Sequence, residues 1–153
     1  VNEEKIADLN ISHSNLKGCE LDGSIAKLMI DEFPILAVAA SFAETPSKFY
    51  GLKELRVKES DRLELIRHNL ENCGIYCEIE GENLFINPGK KFELKNNIIK
   101  TDYDHRIAMA FAVMGSKLGN DLKIEDEESI NTSFPNFFEN FNNAGGKLGI
   151  HIE

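Results

Sequence analysis

The chain has 153 residues, 42% of them hydrophobic and 28% charged, with a formal net charge of −9. That is enough apolar material for a core, while the acidic balance and the absence of any basic run longer than Lys90-Lys91 exclude a nucleic-acid footprint. The longest apolar stretch, Phe33 to Ala40 with Ser41 and Phe42 behind it, is too short to span a bilayer, and the charged N-terminal residues form no apolar signal core. With no export signal and three cysteines, the expected location is the reducing cytoplasm, with Cys19, Cys73 and Cys77 as buried free thiols rather than disulfides or metal ligands.

In chain order, the first long element is a helix over about 32–43, apolar nearly all round and therefore buried. Asp31 is placed to cap it, with Pro34 in the first turn, where a missing amide costs little. A short alternating strand follows at Lys48 to Gly51. The spacing then predicts an amphipathic helix over 61–72, with Leu63, Ile66 and Leu70 on one stripe and Gly74 as its C′ residue. Ile75–Ile79 and Leu84–Ile86, joined through Glu80-Gly81-Glu82, read as a hairpin. A second all-apolar helix is expected over about 105–117, capped by Asp104, then a strand at Asp121 to Ile124. A helix over 135–143 with Phe137, Phe138 and Phe141 inward ends at Gly145-Gly146, and a last strand is expected over 146–152.

A shift of 73 residues lays Asp31 on Asp104, Ala37 on Ala110, Ala39 on Ala112 and Ala40 on Val113, an internal repeat. Its units are read at about 29–100 and 101–153, with a remnant of another copy at Leu9 to Leu28. A wholly apolar inner helix needs neighbouring copies to cover it, so the chain reads as part of a larger body. The fold class expected is α+β: repeated βαβαββ units with buried helices surrounded by sheets, about two of three units of one domain.

Two charge clusters stand directly before helices. Arg56-Val57-Lys58-Glu59-Ser60-Asp61-Arg62 gathers cations and a carboxylate at a helix N-terminus, where orphan amides also favour an anion. Asp102-Tyr103-Asp104-His105-Arg106 does the same before the second apolar helix. Together they point to a pocket for phosphorylated or carboxylated small molecules, with a carboxylate available for proton transfer. Taken singly, the charges suit a solvated helix start as well, and Asp31 and Asp104 suit plain caps.

Jointly, Asp31-Glu32-Phe33-Pro34-Ile35-Leu36-Ala37-Val38-Ala39-Ala40, the string Leu55 to Leu63, Asp104-His105-Arg106-Ile107-Ala108-Met109 and Thr132-Ser133-Phe134-Pro135 resemble the 3-phosphoshikimate 1-carboxyvinyltransferase family, also called 5-enolpyruvylshikimate-3-phosphate synthases. The match covers about residues 18–146. The resemblance implies two similar domains of three units each, in proteins roughly three times longer, and the motifs of their N-terminal half have no counterpart here. It also implies transfer of the enolpyruvyl group of phosphoenolpyruvate to the 5-hydroxyl of shikimate 3-phosphate with release of phosphate, and no cofactor or metal.

Residue by residue, the resemblance assigns Asp31 to the hydroxyl proton and shikimate ring, and Glu59 to the proton exchanged at carbon. Lys58 falls to shikimate 3-phosphate, and Arg62 and Arg106 to phosphoenolpyruvate. Thr132 stands where some members carry a lysine touching phosphoenolpyruvate, and Glu54 where some carry an asparagine near shikimate. The full-length protein is expected to be a monomer acting on these two small molecules, without nucleic acid or membrane, and the piece alone to be inactive and prone to self-association. The competing expectation is a non-catalytic stand-alone piece, or gene remnant, with a residual anion-binding site.

Overall fold

The computed structural model describes residues 7–89, 92–119 and 122–149. Strand β1 (Glu20–Leu21) leads into the short helix α1 (Gly23–Leu28) and a 3₁₀ turn at Ile30–Glu32. Helix α2 (Phe33–Ser41), β2 (Ser47–Phe49), a 3₁₀ turn at Lys53–Val57 and helix α3 (Arg62–Asn72) follow. The hairpin is β3 (Tyr76–Glu80) and β4 (Asn83–Asn87); then come β5 (Ile98–Ile99), α4 (His105–Leu118) and β6 (Lys123–Ile124). A 3₁₀ turn at Glu127–Thr132 and helix α5 (Phe137–Asn143) complete the described elements. The class is α+β, as expected, and no helix among the described residues is long and apolar enough to cross a membrane.

One sheet runs β1-β2-β4-β3, with β1 parallel to β2 and the other pairs antiparallel; a second pairs β5 with β6 in parallel. Within the hairpin Cys77 faces Ile86 and Ile79 faces Leu84, which turns Cys77, Leu84 and Ile86 into the core. Helix α2 lies between this sheet, α3 and α4. Phe33, at its start, is fully buried and meets Phe49 of β2 edge to face, with ring centroids 5.4 Å apart. Ala37 and Ala110 are small enough for α2 and α4 to approach closely, and both are buried. Ile35, Met109 and Val113 keep part of their surface exposed and line a cleft of about 150 Å³ with Asp31, Arg106, Ala110 and Phe137.

Helix ends follow local chemistry in most places. Asp61 caps α3 through a bond from the Glu64 amide, and Asp104 caps α4 through the Arg106 and Ile107 amides. Gly74, two residues past the end of α3, has φ +82°, and a Cβ there would stand 2.5 Å from the Glu93 carbonyl oxygen, so both backbone angle and space require glycine.

Three expectations are corrected. Asp31 does not cap α2: it lies in the 3₁₀ turn, the cap position is Glu32 with no side-chain bond, and the Asp31 carboxylate faces cations instead. Charge-assisted bonds to those cations are stronger than a bond to a neutral amide. The expected final strand is irregular over 146–149, and residues 150–152 lie outside the described residues. There the Asn142 side chain takes both the amide and the carbonyl of Leu148, so this backbone is satisfied without a neighbouring strand.

Cys19, expected to be buried, is exposed just ahead of the edge strand β1, whereas Cys73 and Cys77 are buried. Burial pushes the thiols of Cys73 and Cys77 up to about 11 and about 12. Ellman's reagent should therefore titrate one thiol per native chain, removed by Cys19→Ser, and all three after denaturation. Rapid loss of two or three thiols from native protein would contradict this packing.

Candidate active site

The site assembles around the start of α3. Arg62 is the first residue of that helix and its side chain has no exposure. Position 62 falls on the inward side with Ile66, Asn69 and Leu70, so the helix brings polar groups into the interior along with its apolar stripe. Asn69 is satisfied there by the Lys100 carbonyl and amide. Arg62 is satisfied by carboxylates.

Each guanidinium nitrogen of Arg62 donates to a different carboxylate. Nε reaches Asp104 Oδ2 at 2.7 Å, Nη1 reaches Asp31 Oδ1 at 2.8 Å and Nη2 reaches Glu59 Oε2 at 2.5 Å. The planar fork of an arginine is what allows one side chain to meet three acceptors in fixed directions. Asp104 is itself fully buried and completes its coordination with the Ser60 hydroxyl at 2.9 Å and the two α4 amides. It thereby joins the N-terminus of α4 to that of α3.

Asp31 is the second hub. Besides Arg62 it meets Lys58 Nζ at 3.3 Å and Arg106 Nη2 at 3.7 Å, and Arg106 Nη1 donates to its backbone carbonyl at 3.3 Å. Burial alone would raise the Asp31 carboxyl, but the bonds from Arg62 and Lys58 and the charge of Arg106 outweigh it and hold the group below its ordinary value. Arg62 shows the opposite balance. Burial would lower its pKa, and the bond and charge of Asp104, with Glu59 and Asp31 beside it, raise it further above its ordinary range.

Of the residues singled out from the sequence, Asp31, Lys58, Glu59, Arg62 and Arg106 therefore converge. Thr132 does not join them: it is exposed on the 3₁₀ turn at Glu127–Thr132, where its hydroxyl donates to the Ser129 carbonyl at 2.7 Å. Glu54 lines a separate hollow with Gly23, Lys27, Gly51 and Glu82. The sequence made Asp104 a cap within a charge cluster and gave Ser60 no role of its own. The 73-residue repeat held the missing signal, since it pairs Asp31 with Asp104, and those two aspartates grip the same arginine from opposite ends.

Arg106 and Asp31 line the part-apolar cleft, Lys58 and the buried Arg62 pair with Asp31, and the part-exposed Glu59 pairs with Arg62. The family model of EPSP synthase (3-phosphoshikimate 1-carboxyvinyltransferase) matches residues 1–141. The chain belongs to the EPSP synthase family. It is 44% identical over 145 residues to the 3-phosphoshikimate 1-carboxyvinyltransferase of Paramagnetospirillum magneticum, covering 95% of this chain and 32% of that protein. The Rhizobium johnstonii protein of the same name is 42% identical, with 98% of this chain and 34% of the relative covered. An EPSP synthase structure from Acinetobacter baumannii superposes with a TM-score of 0.82 at 35% identity, over 90% of this chain and 32% of that one. The chain thus spans about a third of the length of the relatives it matches.

Proposed function

We propose that this chain forms one wall of an enolpyruvyl transferase site, acting on phosphoenolpyruvate and the 5-hydroxyl of shikimate 3-phosphate. The observation that carries the reading is the convergence of Arg62, Arg106 and Lys58 on Asp31, with Glu59 bonded to the same Arg62. Arg106 is part exposed at the cleft and keeps donors free for a bidentate carboxylate or phosphate. Lys58 supplies a point charge for the second anion. In this reading a substrate anion competes with Asp31 for Arg62 and Arg106.

That competition has a chemical consequence. While the cations face it, Asp31 is a weak base. Once they turn to substrate anions, its affinity for a proton rises toward the range in which it accepts one from the hydroxyl. Glu59, exposed on its other side, donates a proton to the methylene carbon in addition and takes it back in elimination. Two repeat units, at about 29–100 and 101–153, frame this wall; the order α2-β2-α3 echoed by α4-β6-α5 supports that division.

The test is phosphate release that requires both substrates together. A protein carrying this chain at the full length of its relatives should turn over, and the 153-residue chain alone should not, because positioning two substrates in one dry site needs the opposite wall. Turnover by the 153-residue chain would overturn the one-wall reading, and a silent full-length protein would favour a residual anion-binding piece.

A further inference from the structure

The segment that delivers Asp104 is held in a conformation its residues disfavour. The Asp104 amide donates to the Thr101 carbonyl at 3.0 Å, and the two residues between, Asp102 and Tyr103, have φ of +49° and +60°. A turn left-handed at both central positions is ordinarily built from Asn-Gly or Asp-Gly. A tyrosine there is an outlier, and such a residue persists only where its surroundings fix it.

The fixing contacts come from across the β5–β6 pair. Asp126 Oδ2 accepts the Tyr103 amide at 3.4 Å, and the single proton of the Thr101 hydroxyl is shared between the Glu125 carbonyl at 3.0 Å and Asp126 Oδ2 at 3.3 Å. Thr101 is fully buried, and the Glu125 amide returns to the Ile99 carbonyl at 3.0 Å, so the strand ends are locked together at this point. Asp126 is itself left-handed, with φ +48°, a conformation that Asp and Asn tolerate better than other side-chain-bearing residues. Directly after the turn, Asp104 bonds Arg62 and caps α4, and Arg106 follows two residues on.

We propose that Asp126 is a positioning residue for the arginine–carboxylate cluster, its carboxylate pinning the left-handed Asp102-Tyr103 turn that carries Asp104 to Arg62. Its functional meaning rests on the transferase reading above; its geometry does not. Asp126 touches none of Arg62, Arg106 or Asp31 in the described contacts and acts through the turn.

The experiment uses the 153-residue chain and reads the Arg62 Nε–H by NMR, a signal independent of any turnover. Asp126→Gly keeps the left-handed backbone available and removes only the acceptor. It should speed exchange of the Arg62 Nε–H with water by about tenfold, the scale expected for losing one to two modest hydrogen bonds. Asp126→Asn, which keeps an acceptor and tolerates the backbone, should stay near the parent value. Tyr103→Gly, added to Asp126→Gly, should restore slow exchange, since the turn then needs no pin. If Asp126→Gly does not fold, the same restoration by Tyr103→Gly decides the matter. Unchanged Arg62 exchange in a folded Asp126→Gly chain, or no restoration by Tyr103→Gly, would overturn the proposal. In a full-length protein that turns over, Asp126→Gly should raise the phosphoenolpyruvate KM more than it lowers kcat. Absence of turnover in the unsubstituted full-length protein would count against the transferase reading and leave the NMR result standing.

Discussion

Asp31→Asn and Glu59→Gln are each expected to lower turnover by ~10²–10⁴ in the protein completed to the length of its relatives, the range for losing general acid–base assistance. Both exchanges preserve shape and leave a carbonyl oxygen that accepts a bond from Arg62, so packing around α3 should be kept. Neither amide takes up a proton in the working pH range. The loss should therefore fall on kcat, with a smaller change in substrate affinity measured by calorimetry. Asp31→Asn should also weaken the hold on Lys58 and Arg106, and it is the variant in which affinity moves more. Near-normal kcat in either variant would remove that residue from the proton-transfer step.

Arg62→Met should destabilise the 153-residue chain by about 3–5 kcal/mol, the cost of removing one partner from a buried ion pair. Asp104 would remain fully buried with its charge opposed only by amides and the Ser60 hydroxyl, and Asp31 and Glu59 would lose the cation between them. For a chain of this size, that corresponds to a fall in Tm of roughly 10 °C. Arg62→Met with Asp104→Leu should be less unstable than Arg62→Met alone, because no unpaired charge is left inside. A cap loss of about 1 kcal/mol at α4 would remain. A single Arg62→Met variant within about 1 kcal/mol of the parent in urea unfolding would show that the pair carries no such weight.

The elements legible in the sequence are those with local causes. Helices α3 and α4 carry their own caps, Asp61 and Asp104, and α3 its own stop, Gly74, so their limits follow from neighbouring residues. The hairpin was readable from its alternation and its Glu80-Gly81-Glu82 connection. Strand β1 was not, because two residues pairing with β2 from 28 positions away leave no period to detect. Asp31 misled for the same reason. As a cap it was locally plausible, and the cations that claim its carboxylate stand 27, 31 and 75 residues further on (58 − 31, 62 − 31 and 106 − 31). The charged motifs named most of the residues that converge on Arg62 and Asp31, but which carboxylate meets which nitrogen depends on α2, α3 and α4 being packed together. The Asp102-Tyr103 turn carried no glycine to announce it.

The charges of the cluster cancel. Lys58, Arg62 and Arg106 are matched by Asp31, Glu59 and Asp104 within bonding or near-bonding distance, on a chain whose formal net charge is −9. From this side, an approaching polyanion meets no positive funnel, so long-range attraction does little to speed its arrival. In the proposed transferase reading, capture is an exchange of one set of counter-ions for another, with the protein's own carboxylates as the ions displaced. Selectivity then falls to geometry: a ligand succeeds by presenting oxygens to the arginines at better angles than Asp31 does, and a bare inorganic anion of equal charge gains little by comparison.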